Sequence, residues 1–170
     1  EVLAYRLNMD GTIGRVVWRT SDSGTFPAPA ARRIFTYNDD AAHTGTRGQE
    51  LLWSNLNAAQ RASLMKSGEA DETNALKRLS WLRGGNDGVA LEAPYANQRL
   101  RSRSALLGDI VNSDPLYVGQ QNNGYNVPND ATRDDEPADS YLAYVESKAA
   151  RDAYLVVGAN DGMLHGFNAA

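Results

Sequence analysis

The chain has 170 residues, 42% of them hydrophobic and 22% charged, which is apolar enough for one ordinary globular core and within the usual span of a domain. The absence of cysteine excludes a disulfide scaffold, a thiolate zinc site, an iron–sulfur cluster and a cysteine nucleophile, and a net charge of -4 gives no basic field for nucleic acid. No apolar run approaches the ~20 residues of a membrane-spanning helix. The chain opens on Glu1 without a charged-then-apolar leader, as expected of a mature product or an excised piece.

In chain order, the first pattern is strand-like. Residues 2–7 alternate, 13–18 form a second β-rich run, and Asn8-Met9-Asp10-Gly11-Thr12 between them supplies the positive-φ positions of a tight turn, so a hairpin is expected. From Thr20 to Arg33 the composition shifts to Ser, Gly, Pro and Ala, an extended connector held by Pro27 and Pro29. A helix is expected over 55–66 with Leu56, Ala59 and Leu64 on one face and Asn55 or Asn57 as its cap. A second helix starts near Asp71, which is expected to cap it, and carries Ala75, Leu76, Leu79 and Leu82 at helical spacing. In that reading Lys77, Arg78 and Arg83 favour the C-terminal end of its dipole, Gly84-Gly85 ends it, and Leu79 and Leu82 bury against β segments.

The last third returns to β. Residues 106–111 and 116–119 read as short strands split by Asn112-Ser113-Asp114-Pro115. The amide-rich, acidic stretch 120–139 is a surface loop, and a short helix follows over 140–150. Residues 153–158 and 163–167 form two strands joined by Asn160-Asp161-Gly162.

Two of these segments carry a resemblance. The run Leu107-Gly108-Asp109-Ile110-Val111-Asn112-Ser113-Asp114-Pro115-Leu116-Tyr117-Val118-Gly119, followed by Leu155-Val156-Val157-Gly158-Ala159-Asn160-Asp161-Gly162-Met163-Leu164-His165-Gly166-Phe167, closely resembles the opening of the C-terminal domain of PilY-type proteins, the tip-associated biogenesis and adhesion factors of type IV pili. Arg33-Ile34-Phe35-Thr36-Tyr37, Trp53-Ser54-Asn55-Leu56 and Leu82-Arg83-Gly84-Gly85 are similar too. Family members often carry Arg-Gly-Asp where this chain has Arg83-Gly84-Gly85, so integrin-type recognition through that tripeptide is not expected.

The resemblance implies a mainly β fold, part of a quinoprotein-like modified β-propeller of one to two partial blades with a helical insert. Residues 1–19 would form the hairpin of a partial blade, 20–104 a connector and helical insert, and 105–170 a blade segment. A blade takes roughly 40–50 residues and a ring at least four blades, so this chain cannot close a ring alone. The implied role is non-enzymatic: support of pilus assembly, twitching motility and surface attachment at the periplasm, outer membrane or pilus tip of a Gram-negative bacterium. The implied partners are minor pilins and the rest of the propeller. The parent is expected to bind calcium at a loop outside this chain, with no cofactor in these residues. The alternative is part of a quinoprotein dehydrogenase propeller, whose blade signature is shared but whose converging quinone ligands are missing here. Open sheet edges predict either pairing of the 2–18 hairpin with the 153–167 strands or a strand-exchanged homo-oligomer.

The candidate site residues are mostly turn and blade positions: Gly108, Asp109, Asp114, Pro115, Asn160, Asp161, Gly162 and His165. Turn chemistry is the reading that Asn160-Asp161-Gly162 favours, with Asp161 binding backbone N–H groups and Gly162 accepting positive φ. Calcium would need six to eight oxygens, and no such loop is present around it. His165 reads as a blade residue whose ring bonds a neighbouring strand. Asp130, Asp134, Asp135, Glu136 and Asp139 match no known metal loop and read as solvated. Arg99, Arg101 and Arg103 alternate and would share one face of a strand. They form a candidate patch for an acidic partner, or pair with Asp109 and Asp114. His43 has no companion at metal-ligand spacing, and no catalytic or phosphate-binding motif occurs.

Overall fold

Two hairpins far apart in sequence turn on the same corner. In the computed structural model, which describes residues 1–22, 24–85, 88–124 and 141–169, the chain divides into two units, Glu1–Leu106 and Leu107–Ala170. The first opens with β1 (Leu3–Leu7) and β2 (Ile13–Arg19), paired antiparallel from Leu3↔Arg19 to Leu7↔Ile13 with two register shifts. At their corner Gly11 N–H donates to the Asn8 carbonyl (3.0 Å), Gly11 lies at φ 81°, and Thr12 N–H donates to Asp10 Oδ1 (3.0 Å). The second unit repeats this arrangement between β6 (Tyr154–Gly158) and β7 (Leu164–Asn168): Gly162 N–H donates to the Ala159 carbonyl (3.1 Å), Gly162 lies at φ 79°, and Met163 N–H donates to Asp161 Oδ1 (3.0 Å). Only glycine takes that left-handed position without strain, which is why Asp-Gly recurs at both corners.

The connector is not extended throughout, because Pro29–Ala31 forms a 3-10 turn with proline at its start, where a missing N–H costs nothing. Beyond it β3 (Phe35–Tyr37) and β4 (Gly48–Glu50) form a hairpin that the sequence pattern did not indicate. Its loop is fixed by polar groups. Buried Asn38 donates its N–H to the Arg47 carbonyl (2.8 Å), and its side-chain oxygen accepts from Asp40 N–H (3.0 Å) and Asn57 Nδ2 (2.8 Å).

The first helix is shorter than its apolar spacing predicts. α1 (Ala58–Leu64) starts at Asn57, whose side chain and that of Gln60 form a reciprocal capping box, and Trp53–Asn55 is a 3-10 turn instead. α2 (Thr73–Leu82) is led by Glu72 at the cap position, while Asp71 accepts the Thr73 N–H (2.8 Å). Ala75 and Leu79 are buried, Leu82 is half-buried and Leu76 is exposed, and the helix contacts α1 and bonds the 90–92 stretch through Asn74 and Lys77.

The cations on α2 do other work than meet its dipole. Arg78 makes a two-pronged bond to Glu69 (2.9 and 2.5 Å), Lys77 pairs with Glu92 (2.5 Å), and Arg83 donates to the carbonyls of Leu51, Pro29 and Arg32 (3.0, 3.2 and 2.9 Å). Unit 1 has few buried apolar side chains, chiefly Val2, Leu56, Ala75, Leu79 and Leu91. Guanidinium bonds to main-chain carbonyls and cations over rings, such as Arg61 over Trp53 at 5.4 Å, supply the remaining cross-links.

Unit 2 is a three-stranded antiparallel sheet in the order β5-β6-β7, with β5 at Leu116–Val118 and a short helix, α3 (Tyr141–Ser147), between β5 and β6 in sequence. Val157 of the central strand is the largest fully buried side chain among the described residues. The expected strand over 106–111 does not form, because its backbone groups bond to the β6–β7 corner instead of to a ladder. β1–β2 and β5–β6–β7 are separate sheets, so the expected pairing of the two ends within one chain is not among those formed by the described residues.

Candidate functional site

The turn residues singled out from sequence meet at the Asp161 carboxylate. Its Oδ1 accepts Met163 N–H inside the corner, and its Oδ2 accepts Gly108 N–H at 3.0 Å and faces His165 Nε2 at 2.8 Å. Since an ionised carboxylate only accepts, the Nε2 carries the proton in that bond. The 107–114 segment is bound at two further points: Asn160 N–H donates to the Asp109 carbonyl (2.9 Å), and Gly158 N–H donates to Ser113 Oγ (3.0 Å). Asn112, at φ 57°, turns the chain between them. A side chain on Gly108 has no room, for its Cβ would lie 2.6 Å from the Asp161 nitrogen.

Burial is the largest influence on the Asp161 carboxyl and pushes it up. The donations from Gly108, Met163 and His165 outweigh it and hold the group below the usual range. Asp10, at the equivalent position of the first corner, is held low chiefly by the hydroxyl and N–H of Thr12 and stands in solvent. Among the described residues, only the second corner is tied by hydrogen bonds to a distant segment.

The other site residues divide. Asp109 acts through its carbonyl while its side chain is exposed, and Asp114 and Pro115 are exposed where the chain enters β5. The His165 ring bonds the turn aspartate rather than a neighbouring strand, and stacks near Phe167 with centroids 6.5 Å apart. Arg99, Arg101 and Arg103 do not share a strand face: Ala90 and Arg99 form an isolated bridge, backbone bonds join 88–91 to 98–100, and among the described residues no strand extends over 99–103. Arg99 donates to the Gly88 carbonyl (3.1 Å), the Arg101 carbonyl accepts the Trp81 indole N–H (2.8 Å), and the Arg103 guanidinium lies 4.3 Å from the Trp81 ring centroid. Of the three side chains, that of Arg103 lies on Trp81, while Arg101 meets Trp81 through its main-chain carbonyl and its side chain is exposed.

Among the described residues no group of three or more His, Asp and Glu side chains is placed to hold a metal ion. The acidic run Asp130, Asp134, Asp135, Glu136 and Asp139 lies outside the described residues, as does most of the 120–139 loop. No described helix is long and apolar enough to cross a membrane. Ser113 and Lys148 are used by the fold and were not indicated by any local pattern. Ser113 sits in the quoted 107–119 run, which was the available signal; Lys148 had none.

A three-stranded antiparallel sheet with an Asx-type turn at its hairpin corner is the kind of unit from which β-propeller blades are built, and the chain's mainly β content agrees with that class. The comparisons give the family. Residues 107–170, the whole of unit 2, match the PilY1 beta-propeller domain model. The chain is 33% identical over 132 residues to the type IV pilus biogenesis factor PilY1 of Pseudomonas aeruginosa strain PAK, covering 75% of this chain and 10% of that protein. A PilY1 homolog of Xylella fastidiosa is 31% identical over 195 aligned positions, covering 99% of this chain and 13% of that protein. The chain is thus PilY-type in sequence, and it spans about a tenth of the length of these curated relatives. No solved structure matches it significantly.

Proposed function

We propose that this chain is the opening part of the propeller region of a type IV pilus biogenesis factor and acts there as a non-enzymatic scaffold. In this reading the Asp161 corner holds the 107–114 segment against the first complete hairpin of a quinoprotein-like ring, so that later blades have a fixed edge to build on. Minor pilins and the remaining blades are its partners, the cell envelope or the pilus tip its location, and pilus assembly, twitching and surface attachment the processes it serves. Calcium, if the parent uses it, is bound elsewhere in the parent. The match of all of unit 2 to the PilY1 propeller model carries the reading, and the pilus-biogenesis names of the relatives support its direction.

The test is complementation. A strain lacking the parent gene is supplied with the full-length protein carrying Asp161→Ala, with Asp10→Ala as the matched control. Loss of surface pili and a contracted twitching zone with Asp161→Ala, against near-normal values for the control, is the expected result. Normal piliation with both variants would contradict the scaffold role.

A further inference from the structure

In a unit whose sequence is strongly acidic, the two described cations meet at one tyrosine. Residues 107–170 hold 10 Asp and Glu against 3 Lys and Arg. Two of those three, Lys148 and Arg151, lie over the Tyr144 ring, Lys148 Nζ at 4.9 Å and the Arg151 guanidinium at 5.6 Å from its centroid. Lys148 is only 7% exposed, yet among the described residues its Nζ donates to a single acceptor, the Gln121 carbonyl (3.0 Å). Among the described residues Arg151 has the Tyr144 ring and no carboxylate. A buried amine with unused donors is costly unless something accepts from them. Both side chains line a cleft of about 400 Å³ between the end of α3 and the paired residues Val118 and Tyr154. Tyr144 and Tyr154 give that cleft aromatic walls, and Asp152 on its rim supplies one acceptor.

We propose that this cleft binds a carboxylate carried on an apolar or aromatic body, as at the C-terminal residue of a peptide. Lys148 and Arg151 take the carboxylate, Tyr144 and Tyr154 flank the body, and Asp152 accepts the neighbouring amide N–H. The two cations outnumber the one carboxylate at the rim, so the cleft is a positive spot in a negative unit and discriminates for an anion. The volume suits one or two residues rather than a long segment. Binding here is independent of the Asp161 corner and of the pilus assignment.

The test is an amide-resolved NMR titration of the 170-residue chain with N-acetylphenylalanine, and separately with N-acetylphenylalaninamide, which lacks the carboxylate. Saturable shifts at Val118, Gly119 and Tyr154 with the acid, and at least tenfold weaker binding of the amide, are the expected results. Lys148→Met should abolish the response and Lys148→Arg should retain it. Arg151 is exposed, so Arg151→Gln keeps the fold, checked by unchanged Val157 and Gly166 signals, and should weaken binding at least threefold. Absence of saturable shifts, equal binding of acid and amide, or unaltered affinity in Arg151→Gln would each overturn the proposal.

Discussion

Gly108 donates its N–H to Asp161 Oδ2 across 3.0 Å, and its missing side chain is what lets the two backbones approach. A Cβ there would press on the Asp161 nitrogen at 2.6 Å, a main-chain atom that cannot rotate away. Gly108→Ala should therefore destabilise unit 2 by about 1–3 kcal/mol, as overpacking does. Chemical denaturation checks this. An unchanged midpoint would mean that the 107–114 segment is not held against the corner.

The two corners allow an internal comparison. Asp161→Ala leaves the Gly108 and Met163 N–H groups without their acceptor and should cost about 1–3 kcal/mol. Asp10→Ala removes bonds only to Thr12 in solvent and should cost clearly less. Equal midpoints for the two variants would deny the second corner its special role. Gly162→Val strains the φ 79° position directly, and should lower stability by at least about 1–2 kcal/mol.

In the insert, Leu79 of α2 is 5% exposed. Leu79→Ala should cost about 2–5 kcal/mol, while Leu76→Ala, at an exposed position of the same helix, should cost far less. Thermal or urea melts of the pair decide it.

Acid should loosen the insert through one carboxyl. The Arg78 guanidinium, with help from Lys66 N–H and against the opposing effect of burial, lowers Glu69 from 4.5 to about 2. A carboxyl whose folded value is depressed contributes stability that is fully present above its unfolded value and is lost as pH falls through the folded one. The loss attributable to Glu69 should therefore run from about pH 4.5 down to about pH 2. Glu69→Gln should remove that part of the acid dependence. An identical stability–pH slope in the variant would show that the Arg78 pair does not contribute.

β5 is an outer strand of its sheet among the described residues, and an edge strand offers N–H and C=O groups to a further strand. The isolated chain should therefore associate by strand pairing between copies, seen as a concentration-dependent mass in light scattering. A monomer at all concentrations would contradict that expectation.

What was legible in the sequence was local. Asp10-Gly11 and Asp161-Gly162 announce their turns because only a few residue types tolerate the geometry, and the stripe through Ala75 and Leu79 announces α2 because burial repeats with the helical period. The β3–β4 hairpin was not legible. Its strands are three residues long, and its loop is held by buried Asn38 and by Arg47 on the Asn38 and Asp40 carbonyls, contacts without a periodic signature. Residues 106–111 misled because apolar spacing does not reveal where backbone N–H groups go, and here Gly108 donates to a carboxylate 53 positions away. The Arg99, Arg101 and Arg103 alternation was a pattern without a strand beneath it, since the described chain there runs as loop and the Arg103 guanidinium lies on Trp81.

The most direct test of the account is an experimental structure of the parent polypeptide around this segment. The account predicts that residues 116–118, 154–158 and 164–168 form three strands of a single blade in a closed ring, with Asp161 Oδ2 accepting the Gly108 N–H at the corner. A ring that closes without these strands, or a blade in which Asp161 points to solvent and Gly108 lies elsewhere, would contradict it.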